Sequence, residues 1–530
     1  MKRLPYLFLA AALLLAALSC SRNSLDVDPY VSDFGAGVDH DLIVLGEKLE
    51  DPYTVENMTK ALHSVYPTKA SVVQLVPTDN YVRLLPRDDS DLSLLEEMGV
   101  QMLDHPLDYS IVKEGDYYHD SEIPEEELTW QYAVVPTDFS APEGIRCELL
   151  DECFIPGEKA TKSAPGWIDW DEVERAAFEL TGNAGLLGPQ TKGKKAIQPA
   201  VPEGRITVLD PEYDSTPVGL KGVKVSCNVF VKFARAFTDE QGYYVMEKSF
   251  TSEPRYRIEF TNRKGFSQGI NLIAVKGSVS TLGKRPAAGY SLSITPQSEI
   301  KLWRRAVINN AAYDYYDSCT SNGIKISTPP SNLRIWSVPI ANGSAAPMLQ
   351  QGPVLDNDYI HSVFGEYTPL IRMFLPDVIL GLSGKDSYAA IYRSVVHELA
   401  HASHYMRVGN AYWDNLIKHI ALSYVTSGGV TYGTGNEELA GYCEVAESWA
   451  YYVENVLYRE RYGDYSKVYG GSYWFAPGIL LYMDARGMNR FKIFVALTND
   501  VHSREALKSR LLSLYPESKS IINEAFNKYL

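Results

Sequence analysis

The sequence predicts a multidomain chain, with an N-terminal α+β domain, a central β-sandwich and a C-terminal, mainly helical domain that carries a small sheet. Its 530 residues suggest about three domains of ordinary size, and 45% apolar residues are enough for a core in each. Residues 182–204 are rich in Gly, Pro and Lys without periodicity, which is typical of a linker. After this linker the pattern changes to short alternating strands, and later to long helical stretches.

The first residues, "MKRLPYLFLAAALLLAALSC", have the pattern of an export signal. Lys2 and Arg3 precede an apolar run that is too short for a comfortable membrane span. The position of Cys20 after small residues resembles the lipobox of bacterial lipoproteins, which implies that Cys20 becomes the lipidated first residue. We therefore expect a signal peptide at 1–19 and a tether at 20–41. Ordinary secretion with an incidental cysteine is the alternative.

The expected location is outside the cytoplasm, with a lipid anchor in a bacterial membrane, and we favour the outer membrane of a Gram-negative cell.

The formal charge of -16 argues against a nucleic-acid partner, since most of the surface would repel phosphate. Five cysteines beyond Cys20 are too few for a disulfide framework in so long a chain. No later apolar stretch approaches the roughly 20 residues of a spanning helix.

Residues 42–156 are predicted to form the small α+β domain. "YVRLLP" and "TWQYAVVP" are strand-like, and "DSDLSLLEEMG" predicts a helix that is capped by Asp89 or Ser90 and stopped by Gly99. Residues 157–203 then hold a short helix, "WDEVERAAFELTG", and the linker. No combination of side chains in this part suggests chemistry.

Residues 204–280 contain β-rich runs separated by turn residues, as a small sandwich requires. Their order resembles the carboxypeptidase regulatory-like domain, a prealbumin-type sandwich. The matching residues are Ile206, Val208, Asp210, Pro217, Gly222, Val223, Val225, Thr238, Asp239, Gly242 and Tyr244. The resemblance implies a non-catalytic accessory module in an extracellular multidomain protein.

Residues 298–530 contain the motif "HELAH" within a predicted helix that starts at Asp386 or Ser387 and ends before Gly409. His397 and His401 are four residues apart, so they lie on one helix face and can both reach one Zn²⁺. Glu398 is then positioned to accept a proton from water at the open position of the metal.

A third ligand is expected on a second predicted helix, from about Asn436 to Tyr458. That helix offers five glutamates: Glu437, Glu438, Glu444, Glu447 and Glu454. Glu447 borders the apolar face at about 100° per residue, whereas Glu444 points largely away from it. Glu447 is therefore our choice, with Glu444 next. The other three glutamates are expected on a solvated face.

The third histidine of the motif region, His404, is expected to support the site and not to ligate, because four protein ligands would exclude water. The metzincin continuation would place Gly and His three and six residues after His401, where this chain has His404 and Arg407. That class is excluded. Several side chains could stabilise an oxyanion, and the sequence does not select among them: Tyr405, His404, Tyr442 and Tyr473.

"HELAH", followed by the glutamate of "AESWA" 46 residues after His401, resembles the gluzincin class of zinc metallopeptidases. The resemblance implies a zincin-type domain over residues 298–530, His397, His401 and Glu447 as zinc ligands, and Glu398 as general base. The chain lacks the N-E-x-x-S-D signature of the thermolysin family. We expect a zinc peptidase that acts on extracytoplasmic proteins or peptides. The alternative is a surface binding or adhesion lipoprotein with a structural zinc site, against which the intact Glu398 argues.

Overall fold

The computed structural model describes residues 42–115, 117–124, 127–157, 165–187, 199–269, 277–339, 343–352, 376–427 and 432–529. The predicted signal peptide and tether, and residues 188–198 of the predicted linker, lie outside the described residues. Within the described part of the chain, no helix combines the length and the apolar character that crossing a membrane requires.

The described strands have the following bounds: β1 (Val44–Lys48), β2 (Asp79–Leu85), β3 (Met102–Leu103), β4 (Tyr109–Lys113), β5 (Gln131–Pro136), β6 (Arg146–Cys153), β7 (Glu203–Val208), β8 (Val218–Gly219), β9 (Val223–Val229), β10 (Lys232–Phe237), β11 (Tyr243–Val245), β12 (Arg255–Asn262), β13 (Ser267–Gly269), β14 (Val279–Lys284), β15 (Leu292–Ile294), β16 (Arg334–Val338) and β17 (Val378–Gly381). The described α-helices are α1 (Val55–Val65), α2 (Asp89–Glu97), α3 (Trp170–Leu180), α4 (Ile300–Ser318), α5 (Tyr388–Val408), α6 (Asn410–Ser427), α7 (Ala440–Tyr462), α8 (Pro477–Asp484), α9 (Arg490–Ala496), α10 (Arg504–Leu514) and α11 (Lys519–Lys528).

The N-terminal part is built on an antiparallel sheet in the order β3-β5-β2-β6, and β1 pairs with β4 in a separate ribbon. Both predicted strands are present, as β2 and β5. The predicted cap of α2 is wrong by one or two residues: Asp88 caps the helix, because its side chain accepts hydrogen bonds from the backbone N–H groups of Ser90 and Asp91.

Helix α3 connects the N-terminal part to the strands that follow it. Glu174, on α3, is buried and accepts hydrogen bonds from the Tyr53 hydroxyl and from Lys232 Nζ, the latter at 2.8 Å. Lys232 belongs to β10. The short helix predicted here is confirmed, and its buried ion pair bridges elements on both sides of the predicted linker.

The strands of residues 203–294 form two mixed sheets, one of which extends into the C-terminal part. One sheet has the order β11-β7-β15, with β8 also on β7, and β15 runs parallel to β7. The other has the order β10-β9-β12-β13-β16-β17, with β14 also on β12, and its β13-β16 and β16-β17 pairs are parallel. The coarse prediction of a multidomain chain with a helical C-terminal region is confirmed.

Helix α5 is the central helix of the C-terminal part and packs against α4 and α7. Tyr315 on α4 donates to Ser403 Oγ at 2.8 Å, and Trp449 Nε1 on α7 donates to the Ala400 carbonyl at 3.1 Å. Of the two predicted caps, Ser387 is the one used: its Oγ accepts the N–H of Ala390 at 3.2 Å. The helix ends before Gly409, as predicted, where φ is +80°.

The loop after β7 forms hydrogen bonds with both α5 and α7. Glu212 Oε2 accepts the backbone N–H of Ala389 in the first turn of α5 at 2.7 Å. Asp210 Oδ2 accepts from Arg461 Nη2 at 2.8 Å and from the Tyr462 hydroxyl at 3.0 Å, both at the end of α7. The strand region therefore contacts directly the two helices that carry the predicted metal ligands.

Candidate metal centre

Helices α5 and α7 bring His397, His401 and Glu447 together. The Nε2 atom of His397 lies 3.5 Å from Glu447 Oε2, and the Nε2 atom of His401 lies 3.3 Å from Glu447 Oε1. One potential ligand atom from each residue lies within 4.8 Å of the others. The i, i+4 spacing on α5 produces the histidine pair, and the packing of α7 against α5 delivers the carboxylate. The three side chains that sequence analysis selected as ligands thus converge on one point.

The centre is buried. His397, His401 and Glu447 are 5%, 2% and 1% exposed, and Glu398, beside the first histidine, is 1% exposed. Glu398 Oε2 has no hydrogen-bond partner among the residues that the structure describes. A buried carboxylate oxygen without a partner costs free energy, and this one belongs to the residue next to His397.

Electrostatics couple the four side chains. Burial lowers the pKa of His397, but its contacts with Glu447 and Glu454 outweigh burial and raise that pKa to about 10. Burial raises the pKa of Glu447, but the charges of His401 and His397 outweigh it and lower that pKa to about 2. Burial raises the pKa of Glu398 to about 8, and His397 opposes this rise. Burial lowers the pKa of His401.

Glu454 is a buried side chain beside the centre, and its predicted position was wrong. It was expected on a solvated face, but it is 3% exposed and its Oε2 lies 3.0 Å from His397 Nδ1. Its Oε1 accepts from Arg393 Nε at 2.8 Å and lies 2.7 Å from Arg393 Nη2. The prediction assumed that α7 has one buried face. Helix α7 is buried on several sides, so the prediction was wrong for this residue. Glu454 fixes the ring orientation of His397 and leaves Nε2 directed at Glu447.

We expect Glu454→Gln to weaken metal binding about 10- to 100-fold, because the carboxylate that orients His397 becomes a neutral amide. The affinity would be measured by competition with a chromophoric zinc chelator. Glu438→Gln, an exposed glutamate just before α7, is the matched control and should bind like the wild type. Equal affinities for the two variants would contradict the orienting role of Glu454.

The structure places the other candidates away from the three-residue centre. Glu444 Oε1 accepts from Arg504 Nε on α10 at 2.7 Å. Glu437 accepts from the backbone N–H groups of Thr434 and Gly435 at 2.8 and 2.9 Å, in the turn before α7. This turn also explains why α7 begins at Ala440 and not at about Asn436, where sequence analysis placed its start.

His404 is fully buried against aromatic rings and is not part of the group that can hold a metal. Its ring centroid lies 5.2 Å from that of Tyr412 and 5.8 Å from that of Trp413, both on α6. Burial lowers its pKa to about 3. Trp413 also lies against His401, at 6.0 Å between ring centroids, so the two histidines share this aromatic neighbour.

Aromatic side chains surround the centre. The Tyr451 ring lies 4.4 Å from the His397 ring and was not predicted near the site, because 36 tyrosines in the chain leave no signal for one of them. Two of the tyrosines considered for oxyanion stabilisation have other contacts: the Tyr405 hydroxyl donates to the Gln351 carbonyl at 3.0 Å, and Tyr442 stacks on His502. Tyr473 lies 6.0 Å from Tyr451, measured between ring centroids.

The donor set fits a divalent cation. Three buried carboxylates, Glu398, Glu447 and Glu454, surround the two imidazoles, and Arg393 pairs directly with one of them. Two imidazole nitrogens and one carboxylate are ligands that zinc accepts in sites with an open fourth position. Binding of an ion would require neutral imidazoles, so it would displace the proton that the raised pKa places on His397.

Comparison of the chain with protein-family models, with curated proteins and with solved structures finds no match. The interpretation of the centre therefore depends on the identity, distances and burial of its side chains. These properties establish a buried His397-His401-Glu447 group that could hold a metal ion.

Proposed function

We propose that the protein is a zinc-dependent metallopeptidase of the gluzincin type. The observation that carries the proposal is the position of Glu398 next to a convergent His397, His401 and Glu447 group, with one carboxylate oxygen left without a hydrogen bond in the described structure. A site that only binds a metal for stability has no use for this carboxylate. A hydrolytic site requires one.

Zinc is the metal proposed for this donor set. Two histidines and one carboxylate leave a fourth position open, and imidazole nitrogens favour zinc over magnesium or calcium, which prefer oxygen ligands. When bound, zinc lowers the pKa of a coordinated water and polarises the carbonyl of the bond to be cut. His397, His401 and Glu447 would hold the ion, and Glu454 would keep His397 in the orientation that binding needs.

Glu398 is proposed as the general base. Its Oε2 accepts the proton from the attacking water and passes it to the leaving amine. Burial supports this role, because it raises the pKa of Glu398 from the range of an ordinary glutamate toward the pH at which a carboxylate can both accept and donate a proton. The ligand carboxylate of Glu447 has the opposite shift, so the two glutamates are suited to different tasks.

The rest of the chain supports an extracytoplasmic enzyme. We propose that Cys20 carries a lipid that anchors the protein to a bacterial membrane, and that the strand region after residue 203 is a prealbumin-like module. Asp210 contacts α7 and Glu212 contacts α5, the two helices that carry the proposed ligands. These contacts support a role for the module in holding the two helices in place. The substrates would be extracytoplasmic proteins or peptides.

The test is hydrolysis of a mixed peptide library by the purified mature chain. We expect cleavage that is lost after treatment with a zinc chelator and restored by stoichiometric zinc, because the three ligands alone supply no activated water. Analysis of the library by mass spectrometry would give the cleavage sites and distinguish endo- from exopeptidase activity. Cleavage that survives complete removal of the metal would contradict the proposal.

The burial of the centre favours a second candidate. With every one of the four central side chains at most 5% exposed, the site could hold zinc for stability in a surface binding lipoprotein. The two candidates differ in what zinc removal changes. A structural site predicts loss of thermal stability with no library cleavage under any condition, whereas the peptidase predicts zinc-dependent cleavage.

A further inference from the structure

Strand β6 is the last strand of the N-terminal sheet, and among the described residues no strand pairs with most of its outer edge. It pairs with β2 on one side, with a bulge near its middle. On the other side, backbone hydrogen bonds from the described residues reach it only at its end, where Thr54 forms a bridge with Cys153 and Phe154 N donates to the Tyr53 carbonyl at 2.8 Å. The backbone groups along the earlier part of this edge are therefore available to an added strand.

The sequence of β6, "RCELLDEC", protects its edge only in part, through the bulge and four charged side chains. It contains no proline and no lysine, and its residues are exposed on both faces. Leu149 and Leu150 are 57% and 38% exposed. Exposed leucines on an open edge favour contact with another extended chain.

An acidic groove adjoins the open edge. It has a volume of about 480 Å³ and lies between the second half of β6 and the first turns of α1. Four carboxylates line it, from Glu50, Glu56, Asp151 and Glu152. The single ammonium group in the lining, Lys60 Nζ, is already paired with Glu56 at 2.7 Å. A strand that pairs with β6 would thus lie beside a net negative charge.

The negative charge of the groove favours a basic peptide over a second copy of the chain as the partner of β6. A second copy of the chain, paired through its own β6, would bring the carboxylates of both copies together, and facing like charges destabilise strand pairs. A lysine- or arginine-containing segment is instead attracted by these carboxylates and can place its side chains in the groove. We propose that the open edge of β6 binds an extended basic peptide segment of another protein by strand addition. The proposal does not depend on the zinc centre.

Strand addition makes a prediction that electrostatic attraction alone does not. In an added strand, alternate backbone N–H groups point to β6 and the others point to solvent. We would measure fluorescence anisotropy of a labelled peptide of alternating valine and lysine with the mature chain, in EDTA so that hydrolysis does not consume the peptide. Two further peptides carry N-methyl groups on one or the other alternate set of residues. One should bind like the parent, and the other should bind at least tenfold more weakly.

Charge is tested separately. A peptide of alternating valine and glutamate should not bind, and the double variant Asp151→Asn with Glu152→Gln should bind the lysine peptide at least fivefold more weakly. The matched control is Glu505→Gln with Glu517→Gln, which removes two exposed carboxylates from the C-terminal part and should bind like the wild type. Equal binding of both methylated peptides, equal weakening by the two double variants, or a dimer of the chain that the lysine peptide dissociates would each overturn the proposal.

Discussion

Glu398→Gln is expected to lower kcat/KM for library peptides by at least about a thousandfold while zinc stays bound at one ion per chain. Loss of a general base costs roughly 10²- to 10⁴-fold, and the upper part of this range applies where no neighbour can replace it. Among the described residues, the nearby carboxylates of Glu447 and Glu454 are already committed to His397 and His401 or to Arg393. Activity and zinc content would be measured on the same preparation.

The control for this experiment is Glu438→Gln, which changes an exposed glutamate in the same way and should retain full activity. Glutamine has the shape of glutamate, so Glu398→Gln should also keep the fold and the metal ligands in place. Full activity of a zinc-loaded Glu398→Gln variant would exclude Glu398 as the base. Loss of zinc from that variant would show that Glu398 holds the metal and does not act only on the substrate.

Asp210→Ala is expected to lower the free energy of unfolding by about 2 kcal/mol, because it leaves the partly buried Arg461 with Asp314, at 3.2 Å, as its remaining carboxylate partner among the described residues. Asp210 is 1% exposed and accepts hydrogen bonds from Arg461, from Tyr462 and from the backbone N–H of Glu212. The same change loosens the loop that caps α5 through Glu212. Urea denaturation would measure the loss, and the zinc affinity should fall with it.

Asp214→Ala is the matched control in that loop, since Asp214 is exposed and its side chain bonds only to the neighbouring Ser215 and Thr216 in the described structure. We expect it to change the unfolding free energy by less than about 0.5 kcal/mol. If both variants unfold at the same urea concentration, the strand region does not stabilise α5 and α7 and is a separable accessory.

The part of the centre that could be predicted from sequence follows from local geometry. His397, Glu398 and His401 lie within one turn of α5, where helical periodicity alone places the two histidines on one face. The choice of Glu447 over Glu444 also came from helical periodicity, because the side chain that borders the apolar face of α7 must approach α5. The structure brings Glu447 to the histidines and pairs Glu444 with Arg504.

What could not be predicted depends on contacts between distant parts of the chain. Glu454 pairs with Arg393 on α5, and a helix that is buried on several sides hides such a pair from a periodicity argument. The parallel pairing of β13 with β16 joins segments on either side of the predicted boundary between residues 280 and 298. No local pattern indicates that pairing. The contact of Asp210 with the end of α7 likewise has no local sequence pattern that indicates it.

The most direct test of the central claim is anomalous X-ray scattering at the zinc absorption edge, measured on crystals of the protein purified without added metal. We expect one zinc peak per chain, bound by the imidazoles of His397 and His401 and by the carboxylate of Glu447. The peak should disappear in Glu447→Ala. A zinc peak held by other residues, or full occupancy of the centre by zinc in Glu447→Ala, would contradict the assignment of these three side chains as the metal ligands.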